Sequence, residues 1–118
     1  MEPFFGDHRR IDERSLAMHR LIAEKVRANP ALLDEARANL RRAQEKEGSP
    51  SLALAEWENI LSGDAAQVAE FLENRSERAT RLRQSSPFAG ILTEAERNAI
   101  YESYSTRTYY SGRQSNLG

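Results

Sequence analysis

Helix-start and helix-stop residues cut this chain into short amphipathic pieces, and that punctuation limits its possible folds more than any other feature. Asn29-Pro30 and Ser49-Pro50 each set a capping side chain before a proline, whose fixed φ suits the first helical position and whose missing N–H costs nothing there. Ser62-Gly63 closes one segment, and Asp64 with Gln67 three residues on opens the next as a capping box. Pro87 stops a helix, Gly90 frees the backbone to turn, and Thr93 with Glu96 forms a second box. Short connections of this kind make neighbouring helices antiparallel.

Between these signals the apolar residues recur at helical spacing. Met18, Leu21, Ile22 and Val26 mark a first helix over 12–28, and Leu33, Ala36, Leu40 and Ala43 mark a second. A third, about three turns long, carries Leu54, Trp57 and Leu61. Val68, Phe71, Leu72, Ala79 and Leu82 continue the pattern toward Gln84, read as one helix in preference to two divided at Ser76, and Ala95, Ala99 and Ile100 face inward from the last. Few residues are β-branched, and 118 residues bury a core without a metal or disulfide staple. The expectation is an all-α, single-domain, up-and-down bundle of about five helices over residues 11–104. Pro3 and Gly6 set residues 1–10 apart as a flexible arm bearing Phe4 and Phe5. Residues 105–118, with Arg107, Tyr109, Tyr110 and Arg113, read as a flexible tail.

The absence of cysteine excludes disulfides, thiolate metal sites and cysteine nucleophiles, and fits a reducing cytoplasm. No run of signal-peptide length occurs in MEPFFGDHRR, and none approaches the roughly 20 apolar residues of a membrane span, so the chain is expected to be cytoplasmic and not membrane-bound. His8 and His19 are the only histidines, and no carboxylates complete a metal set with them, so neither metal nor cofactor is expected. Arg14 and His19 follow the Arg-x4-His spacing of HEPN-type ribonucleases, but residues five apart on a helix point roughly 140° from one another, and His19 reads as a solvated or surface histidine. Glu94 and Glu96 are accounted for by helix initiation. No phosphate loop, nucleophile elbow or dinucleotide fingerprint is present. No catalytic residue is assigned, and an enzyme is the minority reading.

What local structure leaves over is the stretch from Arg75 to Leu92. Arg75, Arg78, Arg81 and Arg83 oppose only Glu77 within nine residues, and three of them recur at three-residue spacing as a basic ridge. The ridge runs into QSSPFAGILT, which carries no charge in a chain where 30% of residues do. Either the ridge meets acids of its own domain, near Glu45 and Glu47, and the loop packs on the bundle end, or Phe88, Ile91 and Leu92 anchor a partner within an arginine rim. The partner-binding assignment is therefore Arg75, Arg78, Arg81, Arg83, Phe88, Ile91 and Leu92.

Three segments, IDERSLAMHRLIAEKVRANPALLDEARANL, LAEWENIL and SERATRLRQSSPFAGILTEAERNAI, resemble a group of small bacterial helical proteins. RLRQSSPFAGIL is the most specific of the shared stretches, and the two ends of the chain fall outside the likeness. The resemblance implies a non-enzymatic, protein-binding antitoxin or accessory partner of a toxin-like protein encoded by a neighbouring gene, often of nucleotidyltransferase type. The residues also admit a nucleic-acid-binding regulator using the arginine helix and tail, an HEPN-like ribonuclease, and a scaffold that forms homo-oligomers.

Overall fold

The computed structural model of the protein describes residues 2–48 and 51–109, with side chains from residue 8 onward. Its helices are α1 (Glu2–Ala28), α2 (Leu32–Glu47), α3 (Leu52–Leu61), α4 (Ala65–Leu72), α5 (Glu77–Arg83) and α6 (Glu94–Ser103). A further helical turn, α7, occupies 106–109 and makes seven helical segments among the described residues, which contain no strand. The expected count of about five was too low for two reasons. Residues 65–84 hold two helices where one was expected, and the start of the tail is helical.

The break between α4 and α5 has a local cause. Asn74 Oδ1 accepts from the Ser76 N–H at 2.7 Å, and Ser76 Oγ then accepts from the Ala79 N–H at 3.1 Å, so each side chain takes a backbone donor that a continuous helix would have used. Ser76 is thus the N-cap of α5, as its position allowed. At the other end of the chain, helix begins at Glu2, so residues 2–10 extend α1 where a separate arm was expected. Pro3 lies within its first turn, where the missing N–H would be unpaired in any case. The side chains of Phe4 and Phe5, with Tyr110, Arg113 and the rest of 110–118, lie outside the described residues.

Two caps also differ from expectation. Residues 29–31 form a turn, and α2 starts at Leu32 with Ala31 as N-cap and no side-chain cap bond, so Asn29 contributes its carbonyl and not its side chain. Helix α3 is capped by Ser51, whose Oγ accepts from the Leu54 N–H at 3.2 Å; Ser49 and Pro50 lie outside the described residues. The boxes at Asp64/Gln67 and Thr93/Glu96 are both closed reciprocally.

Long α1 is the spine, and its principal neighbour is α4; α5, α6 and α2 pack along it as well, while α2 also packs on α3. The expected stripes on α2 to α5 supply most of the core, and α1 adds the expected Ile22 and Val26 together with Leu16 and Ala23, while the expected Met18 and Leu21 are only half-buried. Ile22 and Val26, Leu33, Ala36 and Leu40, Leu54 and Leu61, and Val68, Leu72 and Leu82 are all buried around Trp57, which is 0% exposed. The indole meets Phe71 and Phe88 edge to face, with centroids 5.7 and 6.0 Å away, and its Nε1–H donates to the Leu82 carbonyl at 2.9 Å. Helix α6 departs from the pattern. Ala95 and Ala99 are exposed, Ile100 is half-buried, and no residue of α6 is fully covered. No helix among the described residues is long and apolar enough to cross a membrane.

Candidate functional site

The seven residues assigned from sequence to one partner surface are divided by the fold between surface and core. Arg78 donates through Nε to Glu56 Oε1 at 2.8 Å, and Arg81 Nη2 reaches Glu56 Oε2 at 3.3 Å, which holds the Glu56 carboxyl below the usual carboxylate range, chiefly through Arg78. The acid that meets the ridge is Glu56 on α3, reached by helix packing, and not the sequence-suggested pair Glu45 and Glu47. Arg75 is exposed.

Arg83 turns inward. It is 5% exposed, and its Nη1 donates to the carbonyls of Leu72 at 3.2 Å and Asn74 at 2.7 Å, while Nη2 donates to Thr80 Oγ1 at 3.2 Å. The guanidinium thereby closes the C-terminus of α4, where unpaired carbonyls and the helix dipole favour a cation. Burial lowers its affinity for the proton, and Asp12 works in the opposite direction.

Phe88 and Ile91 are buried core residues and Leu92 packs against the core. The uncharged loop is thus held down as a connection, as its structural reading required. Asn39 Nδ2 donates to the carbonyls of Pro87 and Ala89 at 2.9 and 3.0 Å, and Lys25 Nζ donates to the Ile91 carbonyl at 3.1 Å. Gly90 takes φ 86°, which a side chain would strain, and a Cβ there would lie 3.1 Å from Glu35 Oε2.

The loop's tightest tie was not foreseen from sequence. His19 is 4% exposed, where a surface histidine was expected. Its Nδ1 lies 2.8 Å from the Ser15 carbonyl, which only accepts, so Nδ1 carries the proton and Nε2 accepts from the Ser86 hydroxyl at 2.8 Å. Ser86 Oγ in turn accepts from the Phe88 N–H at 3.3 Å. The only sequence clue was that His19 lies three residues after the buried Leu16 and three before Ile22, on the α1 face that meets the core. Burial, partly offset by the Ser15 carbonyl and reinforced by nearby Arg83, lowers the His19 pKa from 6.5 to about 4. Serine beside histidine has the form of a nucleophile and its base, but a base at that value has little proton affinity to offer at neutral pH. The pair fastens the loop to α1.

That fastening makes stability pH-dependent. Between about 4 and 6.5 the unfolded chain holds the imidazole proton and the folded chain does not, so acidification favours unfolding. Stability is expected to fall by up to about 3 kcal/mol as pH drops from 6.5 to 4, with no further loss from this group below that. Urea unfolding across this range, with His19→Gln as comparison, tests it; an equal slope in the variant would assign the pH dependence elsewhere.

Arg14 packs over the Tyr101 ring at 4.3 Å, so the Arg14 and His19 side chains serve different contacts, one on α6 and one on the loop. No group of three or more His, Asp or Glu side chains placed to hold a metal occurs among the described residues. Beside the loop lies an open cleft of about 250 Å³, with Met18 and Ile22 of α1, Phe88 and Leu92 of the loop, and Arg83 and Arg97 among its walls. Helix α6 borders it and is joined to α1 largely by polar contacts, Lys25 Nζ to Glu96 Oε1 at 2.5 Å and Arg10 Nη1 to the carbonyl of its C-cap Tyr104 at 3.0 Å, and α7 adds Tyr109 Oη to Glu13 Oε1 at 3.1 Å. Lys25, followed by the Thr93 amide, holds Glu96 below the usual carboxylate range.

Fold and site together define a small all-α domain with a clasped loop and an open cleft at one edge. No protein-family model, curated protein or solved structure matches the chain.

Proposed function

We propose that the chain is a non-enzymatic module that binds a protein partner along the edge formed by α1, residues 84–92 and α6. The observation that carries this reading is the open, partly apolar cleft at that edge beside a helix with no fully buried residue. From α2 to α5 the apolar stripes go to the core, with Leu52 at the start of α3 left exposed, whereas α6 leaves Ala95, Ala99 and Tyr101 uncovered, and Ile11 is exposed on α1. The finer form is a toxin-neutralising antitoxin, supported by the likeness of the three sequence segments to such partners. The contact surface moves accordingly, from the tips of Phe88 and Ile91 to the edge they support.

Co-expression with the product of the adjacent gene, followed by pull-down, tests the reading. Ala95→Glu with Ala99→Glu replaces exposed residues by another good helix former, so the fold is expected to survive while association weakens at least about tenfold. Unchanged association with an intact fold would refute the surface.

A further inference from the structure

Resting on the reading that the partner is a protein, we infer that the cleft takes an apolar side chain and an adjoining carboxylate from an acidic segment of that partner. The floor is apolar, with Met18, Ile22, Phe88 and Leu92, and Met18 adds a side chain able to adapt to different shapes. Its charges are of one sign. Arg83 and Arg97 line the cleft and no Asp or Glu does. Among the described residues the nearby acids are otherwise placed: Glu96 is taken by Lys25, Glu35 lies against Gly90 outside the lining, and Asp12, whose charge reaches Arg83, is outside the lining as well.

The two cations differ in kind. Arg83 is immobilised by two carbonyls and a hydroxyl, and contributes a fixed positive field from the wall. Arg97 is exposed on the first turns of α6 and has no ion pair among the described residues, so its guanidinium is available to a carboxylate in the planar, two-pronged geometry that arginine favours. A space of about 250 Å³ suits one large side chain and not a folded surface, so the occupant is a short segment inserted from a larger contact. A nucleic-acid strand fits less well, because phosphates need successive free cations and Glu56 engages Arg78 and Arg81.

The test is an amide-shift titration of the intact chain with three capped dipeptides, acetyl-Asp-Leu-amide, acetyl-Asn-Leu-amide and acetyl-Asp-Ala-amide, with hexanoate as a small-carboxylate control. Saturable shifts at Ser86, Gly90 and Arg97 are expected for the first, in the millimolar range usual for so small a ligand. Binding is expected to weaken about tenfold for the Asn and Ala peptides and in Arg97→Gln. Equal binding of all three peptides, no saturable shift, or tighter binding of hexanoate would each overturn the proposal. Saturation by acetyl-Asp-Leu-amide with no retention of the adjacent gene product would leave the cleft chemistry standing and remove the antitoxin reading.

Discussion

Trp57→Ala is expected to be the most damaging single substitution in the chain, lowering stability by about 4 kcal/mol. The indole is 0% exposed and fills the space between α3, α4, α5 and the clasped loop. Truncation removes two edge-to-face contacts, with Phe71 and Phe88, and opens a cavity that packed helices close only in part. It also removes the Nε1–H bond to the Leu82 carbonyl, a polar tie from α3 into the buried part of α5. That carbonyl keeps the Ser85 N–H as a donor, so the lost bond adds about 1 kcal/mol and not the full cost of a stranded acceptor. Trp57→Phe, which keeps most of the ring and loses the donor, is expected to cost about 2 kcal/mol. Urea unfolding measures both, and a Phe variant as unstable as the Ala variant would show that the hydrogen bond, and not the ring, dominates. Domains of this size hold roughly 5–15 kcal/mol in total, so the Ala variant should be partly unfolded at 37 °C if the chain is near the lower end.

Arg83→Met ranks second, at about 3 kcal/mol. Methionine keeps most of the stem's volume and removes the charge, which isolates the polar contribution. Two effects oppose one another. Losing the donors leaves the Leu72 and Asn74 carbonyls at the α4 terminus without the guanidinium, while removing a buried cation relieves its desolvation. The first effect is larger here because three hydrogen bonds hold the group and the α4 dipole points its negative end at it. The Nε–H, buried without a partner, is one donor whose loss costs nothing. Arg83→Lys keeps the charge but cannot span both carbonyls and Thr80, and is expected to fall between the wild type and Arg83→Met. Hydrogen exchange at the last turn of α4 locates the effect; a neutral or stabilising Arg83→Met would mean that desolvation dominates.

These two positions also show where sequence reading stops. Trp57 was legible because Leu54, Trp57 and Leu61 repeat at helical spacing, and burial of such a stripe follows from amphipathicity alone. Arg83 was read with Arg75, Arg78 and Arg81 as one ridge, since spacing in sequence cannot distinguish a cation facing solvent from one reaching a helix terminus eleven residues back. The same limit hid the His19 to Ser86 bond across 67 residues and the pairing of Arg78 with Glu56 across 22.

By itself the sequence determined the helical class, the buried stripes of α2 to α5, the two capping boxes and the turn at Gly90, because each rests on interactions within a few residues. Tertiary structure alone decided which arginine goes inside, that the histidine is neutral and clasps the loop, and that α6 docks through polar contacts and leaves an open cleft. Those outcomes depend on competition between desolvation and distant partners, and the winner is set by which helices pack together.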